Sequence, residues 1–107
     1  MTELAFHILL ALGDGPSHGY AIGKDIEERS GGRLDPTTGA LYQALKRLTE
    51  DGLVTPANPP AGSGGDLRRK YFQLTPQGRR ATSAEAERLA ALVAAARQRK
   101  LYAGGAP

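Results

Sequence analysis

The residues of this chain that could do chemistry are hydroxyl, amide and basic side chains in two short clusters. The first cluster contains Thr37, Thr38, Tyr42, Gln43 and Lys46. The second is a run of three cations, Arg68, Arg69 and Lys70. Such side chains bind phosphate oxygens and base edges. The two clusters therefore indicate a surface for nucleic acid.

The charge of the chain is divided unevenly along its length. Residues 1–65 carry five Lys/Arg against eight Asp/Glu, a net −3, and residues 66–107 carry nine against three, a net +6. A basic excess of this kind is typical of a surface that faces a polyanion, although it also occurs on proteins that never contact nucleic acid.

No combination of residues indicates catalysis or a bound metal. His7 and His18 have no acidic residue at the spacing of a metal site or a catalytic triad, and the glycine-rich residues 62–65 lack the lysine of a phosphate-binding loop. The chain has no cysteine, which suits a reducing cytoplasm. The apolar run within residues 1–15 is too short to span a membrane and lacks the pattern of a secretion signal. We therefore expect a cytoplasmic protein that is not an enzyme, with no cofactor, metal or membrane partner.

Two helices are expected in the first thirty residues. Apolar residues between Glu3 and Leu12 recur at three- and four-residue spacings, as on a helix that buries one broad face. Ser17 can cap a second helix, which the pair Gly31-Gly32 would end. Its inward stripe would consist of Tyr20, Ile22 or Gly23, and Ile26.

A third helix is predicted to begin at Asp35-Pro36. An acceptor side chain at the cap and a proline at the first helical position favour a start there, and Gly52 is suited to end the helix. The predicted buried stripe is Leu41, Leu45 and Leu48.

Two strands are expected after these helices. Leu53–Thr55 and Leu67–Leu74 have the composition of strands, and the residues between them are nearly all turn formers. In the second strand Phe72 and Leu74 share one face, and Tyr71 and Gln73 share the other. The pattern predicts a β-hairpin with one face on the helices and the other toward solvent or a partner.

A long last helix is predicted from the Thr75-Pro76 cap to about Tyr102. At about 1.5 Å per residue it would extend about 40 Å, so its far half needs another surface to cover it. A second copy of the chain is the simplest such surface. The predicted dimer contacts are a stripe of small and apolar residues, Ala86, Leu89, Val93 and Ala96.

The order of these elements defines the expected fold. Three helices followed by a hairpin is the winged helix-turn-helix arrangement, in which the third helix enters the major groove of DNA. The prediction is a mainly α protein with a small β-hairpin, divided into a winged-helix DNA-binding domain (1–75), a dimerisation helix (76–103) and a flexible tail (104–107).

Several short motifs follow one another in this framework. They are Pro16, His18-Gly19-Tyr20, Gly39-Ala40-Leu41-Tyr42, Leu45 and Leu48, Gly52-Leu53, Arg69-Lys70-Tyr71-Phe72, and Leu74-Thr75-Pro76-Gln77-Gly78. In this order and spacing they resemble the PadR-type transcriptional regulators. The last helix is similar to that of the short branch of the family. Two residues depart from the family pattern: Ala40 stands where a hydroxyl residue is usual, and Gln43 where proline or arginine is frequent.

The resemblance implies a homodimeric repressor of a pseudo-palindromic DNA operator. Repression would occur by occlusion, with two recognition helices in successive major grooves. It also implies that a small molecule, commonly aromatic or amphipathic, could release the DNA. The two departures in the third helix concern which bases are preferred and leave the expected fold unchanged.

Several residues have two interpretations. Thr37 and Thr38 could bind a phosphate or help to cap the helix, and Tyr42 could reach DNA or be a half-buried core aromatic. The run of cations at residues 68–70 could follow phosphates or form a solvated face. His18 and Tyr20 could contact DNA or hold the fold together.

The alternative function is a winged-helix module that binds proteins and not DNA. The basic excess in the hairpin and last helix argues against it, because such a module has no need of a basic wing.

Overall fold

The computed structural model of the chain describes residues 1–62 and 69–104. It contains four helices: α1 (Glu3–Ala11), α2 (Gly19–Arg29), α3 (Thr38–Glu50) and α4 (Pro76–Gln98). It also contains three strands: β1 (Ser17–His18), β2 (Val54–Ala57) and β3 (Tyr71–Leu74). The predicted fold, a winged helix-turn-helix with a long last helix, is confirmed.

The core lies where α1, α2 and α3 meet the sheet. Its buried side chains are Ile8, Leu9, Leu12, Ile22, Ile26, Leu41, Leu45, Leu48, Val54 and Phe72. The predicted stripe on α3 is confirmed, because all three of its leucines are buried. The stripe predicted for α2 is wrong at one end: Ile22 and Ile26 face the core, but Tyr20 is 66% exposed and the buried residue beside it is Gly19.

Two helices begin later than the sequence suggested. The N-cap of α2 is His18, whose Nδ1 accepts a hydrogen bond from the Ala21 N–H at 3.2 Å. Ser17, the predicted cap, lies in β1. The N-cap of α3 is Thr37, which has an extended backbone and accepts from the Ala40 N–H at 3.1 Å. Thr37 is therefore the cap of α3, and Asp35, the predicted cap, lies two residues before it.

The sheet has three antiparallel strands in the order β1-β3-β2, and not the two of the predicted hairpin. Ser17 and His18 pair with Phe72 and Tyr71 on one edge of β3. On the other edge β2 runs from Val54 to Ala57 and includes Pro56, which an edge strand tolerates.

Strand β3 is shorter than predicted in the described residues. It begins at Tyr71, and Arg69 and Lys70 precede it; the predicted strand residues Leu67 and Arg68 lie outside the described ranges. Tyr71 and Phe72 point to opposite faces of β3, yet both are only 9% exposed. The reason is β1, which places the ring of His18 5.2 Å from that of Tyr71 in an edge-to-face contact.

The predicted start of α4 is confirmed at the Thr75-Pro76 cap. The Thr75 hydroxyl accepts from the Gly78 N–H at 2.9 Å and donates to the Gly52 carbonyl at 2.6 Å, so it joins the end of one segment to the start of another. Gly78 is buried on the backbone of Leu53, and a Cβ at this position would lie 1.9 Å from the Leu53 oxygen. Only glycine fits there.

The end of α4 comes at Gln98, earlier than the predicted Tyr102. Lys100 adopts a left-handed conformation with φ 60°, and the Leu101 N–H donates to the Ala96 carbonyl at 2.9 Å. This is the hydrogen bond of a Schellman motif, which satisfies carbonyls that the helix leaves free. In the described part of the chain, no helix is long and apolar enough to cross a membrane. The tail residues 105–107 lie outside the described ranges.

Candidate nucleic-acid interface

The outer face of α3 carries exposed polar side chains. Thr38, Gln43 and Lys46 are all exposed. By the helical period Gln43 and Lys46 lie away from the buried leucines, whereas Thr38 lies in the first turn, beside α2. Thr37 differs from them, because its hydroxyl accepts the capping hydrogen bond. Capping therefore accounts for Thr37, whereas Thr38 offers a free position in the first turn. The predicted residues Gln43 and Lys46 are therefore on the outer side of α3, and Thr38 is at the end of the helix next to α2.

Tyr42 is exposed, with a relative exposure of 38%. Its ring lies 6.4 Å from that of Phe72 in an edge-to-face arrangement. The hydroxyl end lies against the start of α2, where a Cβ added to Gly19 would be 2.5 Å from the Tyr42 oxygen. Tyr42 is therefore held between the sheet and α2, with one edge at the surface.

A groove of about 580 Å³ runs between α3 and the strands of the sheet. We call it the wing groove; its lining residues include Tyr42, Lys46, Asn58, Arg69, Lys70 and Tyr71. Cations from α3 and from the segment before β3 thus line one groove, as an anionic ligand requires. Arg68, the third predicted cation of that segment, lies outside the described residues.

Three other described arginines form ion pairs. Ion pairs join Arg29 to Asp25, Arg33 to Glu3, and Arg88 to Glu85. Hydrogen bonds from the Arg88 guanidinium hold the pKa of Glu85 below its ordinary value. The ion pairs among residues 1–62 and 69–104 do not include the three cations of the wing groove, so these stay available to an external anion.

Arg69 packs on two rings at the start of α2. Its Cζ lies 5.6 Å from the centre of the Tyr20 ring, in cation–π geometry. Its Nη1 lies 2.9 Å from Nε2 and 3.2 Å from Nδ1 of His18. Burial, and then the nearby charge of Arg69, lower the pKa of His18 below its ordinary value. This lowering favours the neutral imidazole, which keeps the Nδ1 lone pair that caps α2.

Two residues of α2 lie beside this surface. Tyr20 and Lys24 line a second groove, of about 300 Å³, between α2 and α3; Thr38 and Tyr42 line it too. Lys24 belongs to no motif and was not predicted, whereas Tyr20 belongs to the His-Gly-Tyr motif, for which DNA contact and a role in holding the fold were both left open. The surface is therefore built from α2 as well as from α3 and the sheet.

This geometry defines a winged helix-turn-helix protein with a basic groove beside its third helix. Residues 8–84 match the family model of the "Transcriptional regulator PadR-like family". The chain belongs to this family, whose members are transcriptional regulators and not enzymes.

Three similar proteins illustrate the relationship. The transcriptional regulator YqjI of Escherichia coli is 36% identical over 76 residues, which are 71% of this chain and 34% of that protein. A PadR family transcription regulator from Clostridium difficile has the same fold, with a TM-score of 0.73, 24% identity, and coverage of 91% of this chain and 97% of that one. Bacillus subtilis PadR, solved in complex with operator DNA, has a TM-score of 0.64 and 26% identity, with coverage of 79% and 47%.

The chain is short beside the curated relatives. It spans 22% and 34% of the length of two of the relatives that it matches.

Proposed function

We propose that this chain binds a DNA operator as a homodimer and represses transcription in the cytoplasm by occluding the promoter. In this proposal α3 enters the major groove, and the cations of the wing groove contact the phosphate backbone on either side. The observation that carries it is the convergence of Lys46 from α3 with Arg69 and Lys70 on one groove.

Two further observations support DNA over a protein as the partner. The exposed face of α3 offers an amide and a hydroxyl, the groups that read base edges, with cations on one side. In addition, Bacillus subtilis PadR, which shares this fold, was solved with operator DNA. A winged-helix module for protein binding has no use for an unpaired basic groove.

The test of the proposal is selection of duplexes from a randomised double-stranded DNA pool at moderate salt. A dimeric regulator should enrich a two-fold symmetric motif with half-sites about one helical turn apart, about 34–36 Å. A folded protein that enriches no sequence would contradict the proposal and favour the protein-binding alternative.

Lys46→Ala should weaken binding to every duplex and flatten its dependence on salt. A protein that makes fewer phosphate contacts releases fewer counterions when it binds DNA. The slope of log affinity against log salt should therefore fall by about one for each half-site. Fluorescence anisotropy titrations at several salt concentrations measure this slope. The matched control is Arg80→Ala, which removes an exposed cation outside the wing groove. An equal change of slope in both variants would rule out a specific contact by Lys46.

Thr38→Ala and Gln43→Ala should change the preferred sequence rather than the salt slope. A bidentate contact between a glutamine and a base contributes about 1–3 kcal/mol of discrimination, and its loss should relax one position in each half-site. Repeating the selection with each variant measures this change. Thr37→Ser, which keeps the capping hydroxyl, should retain the wild-type motif. An unchanged motif in both alanine variants would remove these two residues from base recognition.

The proposal extends to release by a small molecule. A ligand bound near α4 could favour a dimer geometry in which the two copies of α3 no longer match successive grooves.

A further inference from the structure

The side chain of Arg69 has fixed neighbours although it lies at the edge of the wing groove. Arg69 comes just before β3, whose ladder with β1 and β2 begins at Tyr71. Its backbone is therefore outside the strand pairing, although its side chain lines the wing groove. A long, exposed arginine with no fixed neighbours adopts many rotamers, and fixing it on DNA would cost entropy.

The start of α2 supplies the fixed neighbours. His18 and Tyr20 lie nearly parallel, with ring centres 6.5 Å apart and 16° between planes, and the Arg69 guanidinium contacts both. The Tyr71 ring contacts the His18 ring edge-to-face, with 5.2 Å between the ring centres and 87° between the ring planes. The His18 ring is itself fixed by its capping bond to Ala21.

We propose that His18 and Tyr20 are positioning residues that hold the Arg69 guanidinium at the wing groove before DNA arrives. The inference rests on the proposed function, since it assigns Arg69 a phosphate to meet. It differs from direct contact, because in this arrangement Tyr20 acts through Arg69 and not on the DNA.

Neutral His18 suits this role. A neutral imidazole keeps one lone pair for the Ala21 N–H, whereas an imidazolium would lose that acceptor and repel the arginine. The ionisable side chains that contact His18 are Arg69 from the segment before β3, Tyr71 from β3 and Tyr20 from α2. Arg69 is the cationic side chain among them, so the pKa of His18 depends on whether Arg69 is beside it.

The first experiment is a double-mutant cycle on the operator obtained by selection. Tyr20→Ala should weaken binding about two- to fivefold, the size expected for loss of one exposed cation–π contact. Tyr20→Phe keeps the ring face and should bind like the wild type. In an Arg69→Ala background, Tyr20→Ala should have no further effect. An equal loss with and without Arg69 would overturn the proposal, as would a Tyr20→Phe loss as large as that of Tyr20→Ala.

A second variant separates capping from positioning. Asparagine is a good N-cap and places an oxygen near the position of Nδ1, so His18→Asn should preserve α2 while removing the ring from Arg69. We expect weaker operator binding and only a small fall in the thermal midpoint, because the edge-to-face contact of the ring with Tyr71 is lost while the cap is kept. His7→Asn is the matched control, because His7 contacts Arg29 on the other side of the molecule, Nδ1 to Nη1 at 2.9 Å. Loss of affinity in both variants alike would contradict the assignment.

The last measurement needs no DNA. In an NMR titration of the free protein, Arg69→Ala should raise the pKa of His18 toward its ordinary value, and Lys70→Ala should leave it unchanged. An unmoved pKa in Arg69→Ala would show that the contact is absent in solution and overturn the proposal. If this pKa moves but the wild type selects no DNA, the proposed function has failed while the contact stands.

Discussion

Val93→Lys should separate the expected dimer and abolish tight operator binding. Val93 is 40% exposed in the single chain and Leu92 is 56% exposed, on the same side of α4 as the half-buried Leu89 and Ala96. A second copy covering this face would bury the new ammonium without a partner, at a cost of about 3–5 kcal/mol. Each chain would then bind one half-site alone, and affinity should fall about 100-fold or more.

Sedimentation velocity, followed by titration of the selected operator, measures both effects. Ala91→Lys is the control: it adds the same charge at an exposed position on the opposite side of α4, and it should leave the dimer intact. Leu89 is less suitable for the test than Val93, because it is half-buried within its own chain and its substitution could also disturb folding. If Val93→Lys still sediments as a dimer, the predicted stripe of Ala86, Leu89, Val93 and Ala96 is not the interface.

Gly78→Ala should lower the free energy of unfolding by about 2 kcal/mol. The new Cβ would lie 1.9 Å from the Leu53 carbonyl oxygen and 2.8 Å from its carbon, and neither backbone atom can rotate away. Overpacking of this kind costs about 1–3 kcal/mol, with values at the upper end where the backbone must move, and the gain in helix propensity offsets about 1 kcal/mol. The Thr75 N–H donates to the same Leu53 oxygen at 3.1 Å, so the shift should also weaken the start of α4.

Urea denaturation at one fixed protein concentration measures the change, since the stability of a dimer depends on concentration. Gly23→Ala is the matched control: its Cβ would meet only the Leu41 Cδ2, at an ordinary 3.8 Å. That variant should be as stable as the wild type or slightly more so, because alanine favours a helix interior. A Gly78→Ala protein of wild-type stability would show that α4 can shift on Leu53 without cost.

Local signals predicted the elements that depend on local chemistry. Thr75 and Pro76 start α4 because the cap and the first helical position lie next to each other in the chain. The start of α3 was misplaced because Asp35 and Thr37 are both good caps, two residues apart, and only the observed backbone distinguishes them. Propensity alone could not make that choice.

Contacts between distant residues could not be predicted from the sequence. Strand β1 is two residues long, too short for any periodic pattern, and it exists because β3 has a free edge for it. The same holds for Arg69 on His18 and Tyr20, since nothing in the run of three cations indicates which one meets a ring. The exposure of Gln43 and Lys46 on α3 was easier to predict, because a buried stripe of leucines fixes which side faces outward.

The two-residue strand β1 also bears on the order of folding. Its partners in β3 lie more than 50 residues away along the chain, so their pairing must wait until a long loop has closed. The packing of α1 with α2 and of α2 with α3 involves nearer neighbours, and contacts of short sequence separation form faster. The pairing of β1 with β3 is therefore the late step, and the contact between His18 and Arg69 forms only with it.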